Sequence, residues 1–424
     1  MKHNLLLLTL IFFAMTATAF AQSSTPLPKW EFGFTTLYHI EDTASGFTAD
    51  TFPSVDQATF DKYATNDRIP SSVSAFLLEV PGLIRDSSTE GPTFVYDGYV
   101  LFDSGLGTRG GNLIANLGKA MNDDYHPERV VLVLLTHLHG DHIGGLLDGE
   151  TRRFPNAKVL CSKPEYDHWA TQNNAAFERI KKAYDEDFSG GLTFDEAIRY
   201  PHPYANDSAL VSITPIHAPG HTPGHTVFLI ESMGQKLMVV GDLLHAAAMQ
   251  FPMPEVCARY DMDPTEAVKS RRRILDQVAE GNIPVAGMHI PNPGIGFVKK
   301  NADGYDFTPL KKAFYISFQW NGIDHESADY TKSVIVTYRK NGEYLHDRPA
   351  AEALEWLETE LKNGDCTIIE TFDGDKRAYR GGGVFLKEIA KLSERYQVPY
   401  STQNAAGMYL ASPITIHFPQ VFKP

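Results

Sequence analysis

Cysteine is scarce in this sequence of 424 residues. The chain contains three, Cys161, Cys257 and Cys366, and no two of them are close in sequence. This number and spacing exclude both the disulfide framework of a small secreted protein and a cysteine-rich zinc site. At most one pair could form a disulfide, and the spacing favours no particular pair.

Basic residues are also few relative to acidic ones. Lys and Arg number 38 against 52 Asp and Glu, which gives a formal net charge of −14. Because Lys and Arg neutralise phosphates when a protein binds nucleic acid, this balance argues against nucleic acid as the main partner. The 33 Gly and 26 Pro are too few for a collagen-like chain, and a hydrophobic fraction of 43% excludes wholesale disorder. The length allows two or three domains.

No apolar run is long enough to cross a membrane, which takes about 20 residues. The apolar stretch at residues 5–13 follows Lys2 and precedes the small-x-small sequence Ala19-Phe20-Ala21. This arrangement is typical of a secretory signal peptide that is cleaved before Gln22. We therefore expect residues 1–21 to be removed and the mature protein to be periplasmic or secreted, without a membrane span.

Apolar patterning along the rest of the chain predicts alternating strands and helices. The run at residues 130–135 is apolar throughout and predicts a strand buried on both faces. An Asp97-Gly98 hairpin turn is predicted between short strands at 94–96 and 99–102. Asp263, followed by Pro264, predicts the start of a helix. Further strands are predicted at 74–80, 211–216, 227–230 and 237–240. This order indicates a layered α/β body.

The segment that follows the strand at 130–135 is rich in metal-binding residue types. Within six positions it contains His137, His139, Asp141 and His142. Imidazole nitrogens and carboxylate oxygens suit zinc and similar divalent ions. Two residues apart in an extended segment, His137 and His139 project the same way and can share one ion. Gly140 allows a turn that presents the next two side chains to a second ion.

Three later segments offer further metal-ligating side chains at predicted strand ends. A loop rich in glycine and proline carries His217, His221 and His225 between two predicted strands. Asp242 follows the apolar run at 237–240, and His289 follows the short apolar run at 284–286. A single histidine after a strand is more often structural, so the order and the shared setting of these segments carry the prediction.

Taken together, the motifs HLHGDH, PGHTPGH, GD and GMH resemble the metallo-β-lactamase superfamily. Within it, the chain is similar to the branch that contains methyl parathion hydrolase and related secreted metallohydrolases. The turn after the strand at 99–102, Asp103-Ser104-Gly105, also resembles that family. The resemblance covers about residues 30–310. It implies an αββα sandwich, with two mixed sheets flanked by helices, over residues 22–312.

The resemblance also implies a ligand set for two divalent metal ions, zinc by default. Asp242 would bridge the two ions. The remaining ligands would form two triads: His137, His139 and His221 for one ion, and Asp141, His142 and His289 for the other. A hydroxide that bridges the metals would be the nucleophile, and the ions would polarise the substrate. Asp141 and Asp242 are thus expected to be both ligands and catalytic residues.

His245, three residues after the bridging aspartate, is a candidate proton donor to the leaving group. Related lactonases often carry tyrosine at this position, so the histidine argues against lactone chemistry of that type. His217 and His225 are expected to pack around the ligands. Four apolar side chains near the motifs fit an uncharged, partly apolar substrate, although each of them taken singly is better explained as an ordinary core residue: Trp169, Phe251, Met253 and Ile290.

The predicted function is therefore an exported dinuclear-metal hydrolase that cleaves an ester, lactone or phosphotriester bond in a small molecule. Zinc β-lactamases generally lack the bridging aspartate, so β-lactam hydrolysis is an alternative that Asp242 disfavours. Thioesterase activity and a catalytically silent metal-binding module are also compatible with the motifs. RNA-processing relatives share the motif, but the acidic charge and the signal peptide argue against RNA as the substrate.

Residues 313–424 lie outside the resemblance. Strands are predicted at 314–318, 333–338 and 366–370, and amphipathic helices at 350–361 and 384–396. This pattern predicts a small α+β region at the C-terminus, to which the sequence assigns no role.

Overall fold

The computed structural model describes residues 27–32, 35–84, 93–121, 125–201, 209–232, 234–309, 314–323, 334–340, 343–363, 366–373, 382–396, 398, 400–404 and 415–417. The predicted signal peptide, residues 1–21, lies outside these ranges. Within them, no helix has both the length and the apolar character that crossing a membrane requires.

Two seven-stranded sheets form the body of the protein up to residue 309. The first has the order β1-β2-β3-β4-β5-β8-β9 and the second the order β10 to β16, with a separate β6-β7 hairpin. Both are mixed, because β4 and β5 pair in parallel in the first sheet and β13 and β14 in the second. The strands are β1 Lys29–Phe32, β2 Thr35–Phe47, β3 Ile69–Ile84, β4 Thr93–Phe102, β5 Val130–Leu134, β6 Leu147–Asp148, β7 Thr151–Arg152, β8 Lys158–Ser162, β9 Phe188–Leu192, β10 Ile198–Pro201, β11 Ala209–His217, β12 Thr226–Ser232, β13 Gln235–Val239, β14 Val285–Ala286, β15 Ile295–Lys300 and β16 Tyr305–Pro309.

The two sheets pack face to face, and helices cover their outer faces. Between the sheets lies an apolar core in which the rings of Phe102 and Phe228, one from each sheet, have centroids 5.3 Å apart. A second core lies under α2 and α5, and a third under α7. The helices are α1 Gln57–Asp61, α2 Leu113–Ala120, α3 Gly140–Ile143, α4 Lys163–Ala170, α5 Ala175–Tyr184, α6 Ala247–Gln250 and α7 Pro264–Glu280. This confirms the predicted αββα sandwich.

The predicted hairpin at Asp97-Gly98 is wrong. β4 continues through both residues and pairs with β3 along its length, with Val80 opposite Gly98 and Gly82 opposite Val95. The irregularity in this register lies at Pro81, which has no N–H to donate to the ladder. β4 therefore fits one extra residue opposite that proline, as in a β-bulge. Asp97 lies in this bulge and Gly98 is paired with Val80, so the two residues do not form a turn.

The remaining predicted elements agree with the structure, with one exception in detail. Helix α7 begins after Asp263, whose side chain accepts a hydrogen bond from the backbone N–H of Glu266 at 3.0 Å. The predicted strand at 130–135 is β5, but Val131 within it is 40% exposed. The strand is therefore buried along its length except at its second residue.

A third sheet with its own apolar core forms the C-terminal region, which confirms the predicted α+β character. Its strand order is β19-β18-β17-β20-β21-β22. Helices α8 and α9 pack against each other and contact strands of this sheet. The elements are β17 Phe314–Ile323, β18 Val334–Lys340, β19 Glu343–Pro349, α8 Ala350–Asn363, β20 Cys366–Asp373, α9 Gly382–Tyr396, β21 Tyr400–Asn404 and β22 Thr415–His417.

Candidate metal centre

Strand ends of both sheets bring the predicted ligands together. His137 and His139 lie in the loop after β5, and the next two predicted ligands begin the short helix α3. His221 lies in the loop between β11 and β12. Asp242 and His289 follow β13 and β14, which are parallel neighbours, so their carboxyl ends meet at one edge of the sheet. All seven side chains fall into two clusters that could each hold a metal ion.

In the first cluster, three imidazole nitrogens face one another. His139 Nδ1 lies 2.9 Å from both His137 Nε2 and His221 Nε2, and the last two atoms are 3.1 Å apart. Around a tetrahedral zinc ion with Zn–N bonds of about 2.0–2.1 Å, ligand nitrogens lie about 3.3 Å apart. The triad has nearly this spacing, so the residues present fit a metal ion.

Asp242 lies between the first cluster and the second. Its Oδ2 is 3.3 Å from His221 Nε2 on one side and 3.2 Å from His289 Nε2 on the other, while Oδ1 is 3.0 Å from His142 Nε2. Asp141 completes the second cluster, with Oδ2 3.5 Å from His289 Nε2 and 3.7 Å from His142 Nε2. One carboxylate is therefore within reach of both ligand sets.

The outer ring nitrogens of three histidines contact groups that can only accept a hydrogen bond. His142 Nδ1 lies 2.6 Å from an Asp103 oxygen, His221 Nδ1 2.9 Å from an Asp261 oxygen, and His289 Nδ1 2.7 Å from the Ser72 carbonyl oxygen. In a neutral ring the outer nitrogen then carries the proton, and Nε2 keeps a lone pair that points inwards. His142 Nε2 and Asp242 Oδ1 are buried 3.0 Å apart, and neither makes a hydrogen bond of good geometry within the described residues. Such atoms are what an ion would satisfy.

Burial and mutual charge set the protonation of the cluster. Burial lowers the pKa of His139 to about 3 and that of His137 well below its usual value, which keeps both rings neutral, as metal ligands must be. Burial opposes ionisation of Asp242, but His142, His289 and His137 around it hold its pKa well below the usual range. The bridging position therefore carries a carboxylate.

Several residues that support the site were not identified from the sequence. Asp103 accepts hydrogen bonds from both the backbone N–H and the hydroxyl of Thr136, at 2.8 and 2.7 Å, besides contacting His142. Asp261, the partner of His221, lies 3.6 Å from the buried guanidinium of Arg271. Asp103 lies in the turn that the family resemblance singled out, whereas nothing in the sequence around Asp261 signals its role.

The three other histidines of the motifs have distinct positions. His245 is buried, its Nε2 lies 3.3 Å from Asp242 Oδ2, and its ring stacks on that of His289 with centroids 5.5 Å apart. His225 accepts a hydrogen bond from the backbone N–H of Asp242 at 3.0 Å, and His217 stacks on Phe194. Neither His217 nor His225 belongs to a ligand cluster of the described residues.

A pocket of about 330 Å³ opens over the two clusters. Its wall contains no lysine or arginine, and its apolar surface comes from Phe47 and Tyr260. The lining residues are Phe47, His139, Gly140, Asp141, His221, Asp242, His245, Tyr260 and His289.

The four apolar residues near the motifs do not line the pocket, and their positions agree with the interpretation that they are ordinary packing residues. Trp169 packs against His139 from outside the pocket, with ring centroids 5.6 Å apart. Phe251 is buried and stacks on Phe307 at 4.6 Å, and Ile290 lies in the core under α7. Met253 packs beside a small core next to α1. These residues are close to the motifs in sequence, but their side chains pack against the cores beneath the metal-binding loops and do not face the pocket.

Comparison with known proteins agrees with this geometry. Residues 93–280 match the sequence model of the metallo-β-lactamase superfamily. AidC, described as a dizinc quorum-quenching lactonase in complex with the product N-hexnoyl-L-homoserine, is 26% identical. The alignment covers 67% of this chain and 97% of AidC, with a TM-score of 0.55.

A second solved structure, the hydrolase AbOPH in the β-lactamase superfamily, is 24% identical over 67% of this chain and 97% of its own, with a TM-score of 0.53. It supports the fold. Among curated proteins, none matches the chain. The placement in the methyl parathion hydrolase branch stays a prediction. Residues 93–280 therefore match the metallo-β-lactamase superfamily in sequence, and the body of the chain shares the fold of these two solved structures.

Proposed function

We propose that the protein is a dinuclear zinc hydrolase of small uncharged esters, with lactones as the leading class because the similar AidC is a lactonase. His245, in place of the tyrosine of related lactonases, then implies a different proton donor from theirs. The observation that carries this proposal is the shared Asp242, which lies within 3.3 Å of nitrogens from both ligand triads at the base of a small pocket. The triads are His137, His139 and His221 for one ion, and Asp141, His142 and His289 for the other. The similar dizinc lactonase supports the assignment of two zinc ions.

When bound, two such ions supply Lewis acidity and activate a water molecule near neutral pH. The chain itself contributes orientation and protonation. Asp103 and Asp261 accept hydrogen bonds from the outer nitrogens of His142 and His221, which directs the inner nitrogens of these rings towards the centre. The carboxylate of Asp242 balances positive charge at the centre and faces both triads.

The pocket wall argues for an uncharged substrate. A β-lactam antibiotic carries a carboxylate, which is usually bound through Lys or Arg, and none lines the pocket. Phe47 and Tyr260 instead offer aromatic surface to an apolar substituent. A volume of about 330 Å³ suits a small molecule. Phosphotriesters are uncharged as well and form the second candidate class.

A substrate panel on zinc-loaded protein tests the proposal. We expect kcat/KM for a lactone or a neutral carboxylic ester to exceed that for a β-lactam by at least about 100-fold. Phosphotriesters and thioesters in the same panel separate the remaining substrate classes. A β-lactam as the best substrate would overturn the proposal. If zinc binds but nothing in the panel is hydrolysed, a catalytically silent binding module is favoured.

His245 is predicted to assist departure of the leaving group. It lines the pocket beside Asp242, and burial lowers its pKa, so the neutral ring would act through its N–H. We expect His245→Ala to keep its metal but to lose activity about 100-fold with an alkoxide leaving group. The loss should shrink for a nitrophenolate, which departs without a proton. Equal losses with both leaving groups, or no loss in His245→Ala beyond that in a control, would restrict His245 to packing. The control is His126→Ala, which changes a partly exposed histidine beside Glu128.

We also propose that the protein is exported. The support is the N-terminal sequence alone, with a basic residue, an apolar stretch and a small-x-small site before Gln22. N-terminal sequencing of protein from the periplasm and the medium is expected to begin at Gln22. Recovery of the uncleaved chain from the cytoplasm would contradict the proposal.

A further inference from the structure

Glu165 is a fully buried carboxylate close to the metal centre that the chemistry above does not use. It occupies the third position of helix α4, whose N-cap is Ser162. In a capping box Ser-x-x-Glu, the glutamate normally folds back to the backbone N–H of the N-cap residue. Here the carboxylate accepts hydrogen bonds from elsewhere in the chain.

Four donors surround the two carboxylate oxygens of Glu165. Oε1 accepts from the backbone N–H of Leu138 at 2.9 Å and from the indole N–H of Trp169 at 2.7 Å. Oε2 accepts from the hydroxyl of Thr222 at 2.7 Å and from the backbone N–H of Gly224 at 3.0 Å. Four donors fill the capacity of an ionised carboxylate, which has no donor of its own.

These bonds join the two loops that carry the first metal triad. Leu138 lies between His137 and His139, and Thr222 directly follows His221. The loops also share one backbone bond, from the N–H of Thr226 to the carbonyl oxygen of Thr136 at 2.9 Å. The donors to Glu165 adjoin the ligands in both loops, whereas Thr226 lies at the far end of its loop from His221. It therefore constrains the separation of the three imidazoles.

Trp169 extends this control to the orientation of one ring. Its indole meets the ring of His139 edge-on, with centroids 5.6 Å apart and planes at 82°. Because Glu165 holds the indole N–H, a change in the carboxylate also releases the side chain that packs behind His139. The carboxylate thus acts on this ligand through the Leu138 backbone and through Trp169.

We propose that Glu165 is a positioning residue for the His137–His139–His221 triad and sets the affinity of that triad for its metal ion. This inference rests on the part of the proposed function that makes the triad a metal site. It requires no contact between Glu165 and the ion or the substrate.

Glu165→Gln is the direct test, because glutamine has the same shape but presents an NH₂ group to two of the four donors. Zinc binding to the metal-free protein is titrated against a chelating indicator, which yields a dissociation constant for each ion. His139→Ala and Asp141→Ala assign the two steps, since each removes a ligand from one triad. We expect Glu165→Gln to raise the dissociation constant of the triad step by about 10- to 100-fold, as loss of outer partners of metal ligands does, and to leave the other step within twofold.

Asp42→Asn is the matched control. Asp42 is also fully buried and accepts four backbone hydrogen bonds at 2.8–3.1 Å. Its donors lie in the loop before α2 and at the first residue of that helix, not in a metal loop: Leu106, Gly107, Asn112 and Leu113. We expect it to lower Tm without weakening the triad step selectively. Unchanged zinc affinity in Glu165→Gln, or the same loss in both variants, would overturn the proposal.

Thr222→Val decides the question if Glu165→Gln does not fold. It removes one hydroxyl donor to Oε2 and leaves the carboxylate in place. We expect a several-fold weaker triad step with a circular dichroism spectrum like that of the wild type, and wild-type affinity would overturn the proposal. A wild-type protein that binds no zinc at the triad would instead contradict the proposed function itself, so the two failures are distinguished.

Discussion

Removal of divalent metal ions is expected to reduce hydrolysis by this protein at least about 1000-fold, towards the rate of the uncatalysed reaction. The pocket over the site is lined chiefly by the metal-ligating side chains themselves, and it contains no serine or cysteine that could act as a nucleophile instead. Dialysis against a chelator followed by a hydrolysis assay measures the loss. Elemental analysis of the untreated protein is expected to find about two ions per chain.

The control for this experiment is restoration of activity by added zinc. Activity should return as two equivalents are added, and circular dichroism should show that the metal-free protein kept its fold. Recovery by manganese or cobalt would also agree with a site of histidine and aspartate ligands, because such ligands accept several divalent ions. Full activity in chelator, with no bound metal, would refute the metal-dependent mechanism.

Asp242→Ala is expected to lose at least one metal ion and to lower kcat by at least about 100-fold. The side chain lies 3.3 Å or less from nitrogens of His221, His289 and His142, so its removal takes a ligand from both triads at once. It also removes a negative charge between two dications, which would then repel each other more strongly. Metal content by elemental analysis and kcat on the best substrate of the panel measure the two effects.

Two further variants serve as controls for Asp242→Ala. Asp242→Asn keeps the shape and one ligating oxygen but removes the charge, so its loss should be intermediate. Asp167→Ala removes an exposed carboxylate that pairs with Lys163 on the surface, and it should change neither metal content nor kcat. An Asp242→Ala protein that retains both ions would show that the bridging assignment is wrong.

The metal centre is the part of this protein that local sequence describes best. His137 and His139 two positions apart, a glycine that permits a turn and two more ligand types in one short segment restrict the possible chemistry strongly. The later candidates follow apolar runs that become β13 and β14, so their position at a sheet edge follows from strand topology. Short-range spacing and strand ends therefore nominated the segments that supply the two clusters, while the family resemblance selected His221 from the three histidines of its loop.

Local sequence failed where the outcome depended on distant partners. Asp97-Gly98 has the composition of a hairpin turn, yet pairing with the long strand β3 and its Pro81 converted it into a bulge. The Ser162-x-x-Glu165 sequence has the form of a capping box, yet the buried donors of two loops capture the glutamate. In both cases interactions across the fold outweigh the local preference.

The composition of the pocket wall also depends on contacts across the fold and not on local sequence. Trp169 and Phe251 are apolar and close to the motifs in sequence, but they pack into the layers behind the metal loops. Phe47 ends β2 in one sheet, while Tyr260 precedes α7 beside the other, and neither stands near a ligand motif in the chain. No pattern within either segment predicts that the two aromatic side chains border the same pocket.

The sequence by itself determined a layered α/β body, the α+β character of the C-terminal region and the segments able to bind metal, because strand periodicity and ligand spacing are local properties. The αββα arrangement of the layers followed from the resemblance to a known family. Only the tertiary structure decided which side chains hold those ligands and which line the pocket. Glu165, Asp103 and Asp261 act across distances of roughly 30 to 60 residues in the chain, through buried hydrogen bonds that cost free energy when left unmade. Such partners are chosen by packing of the whole domain, and no window of sequence contains both members of the pair.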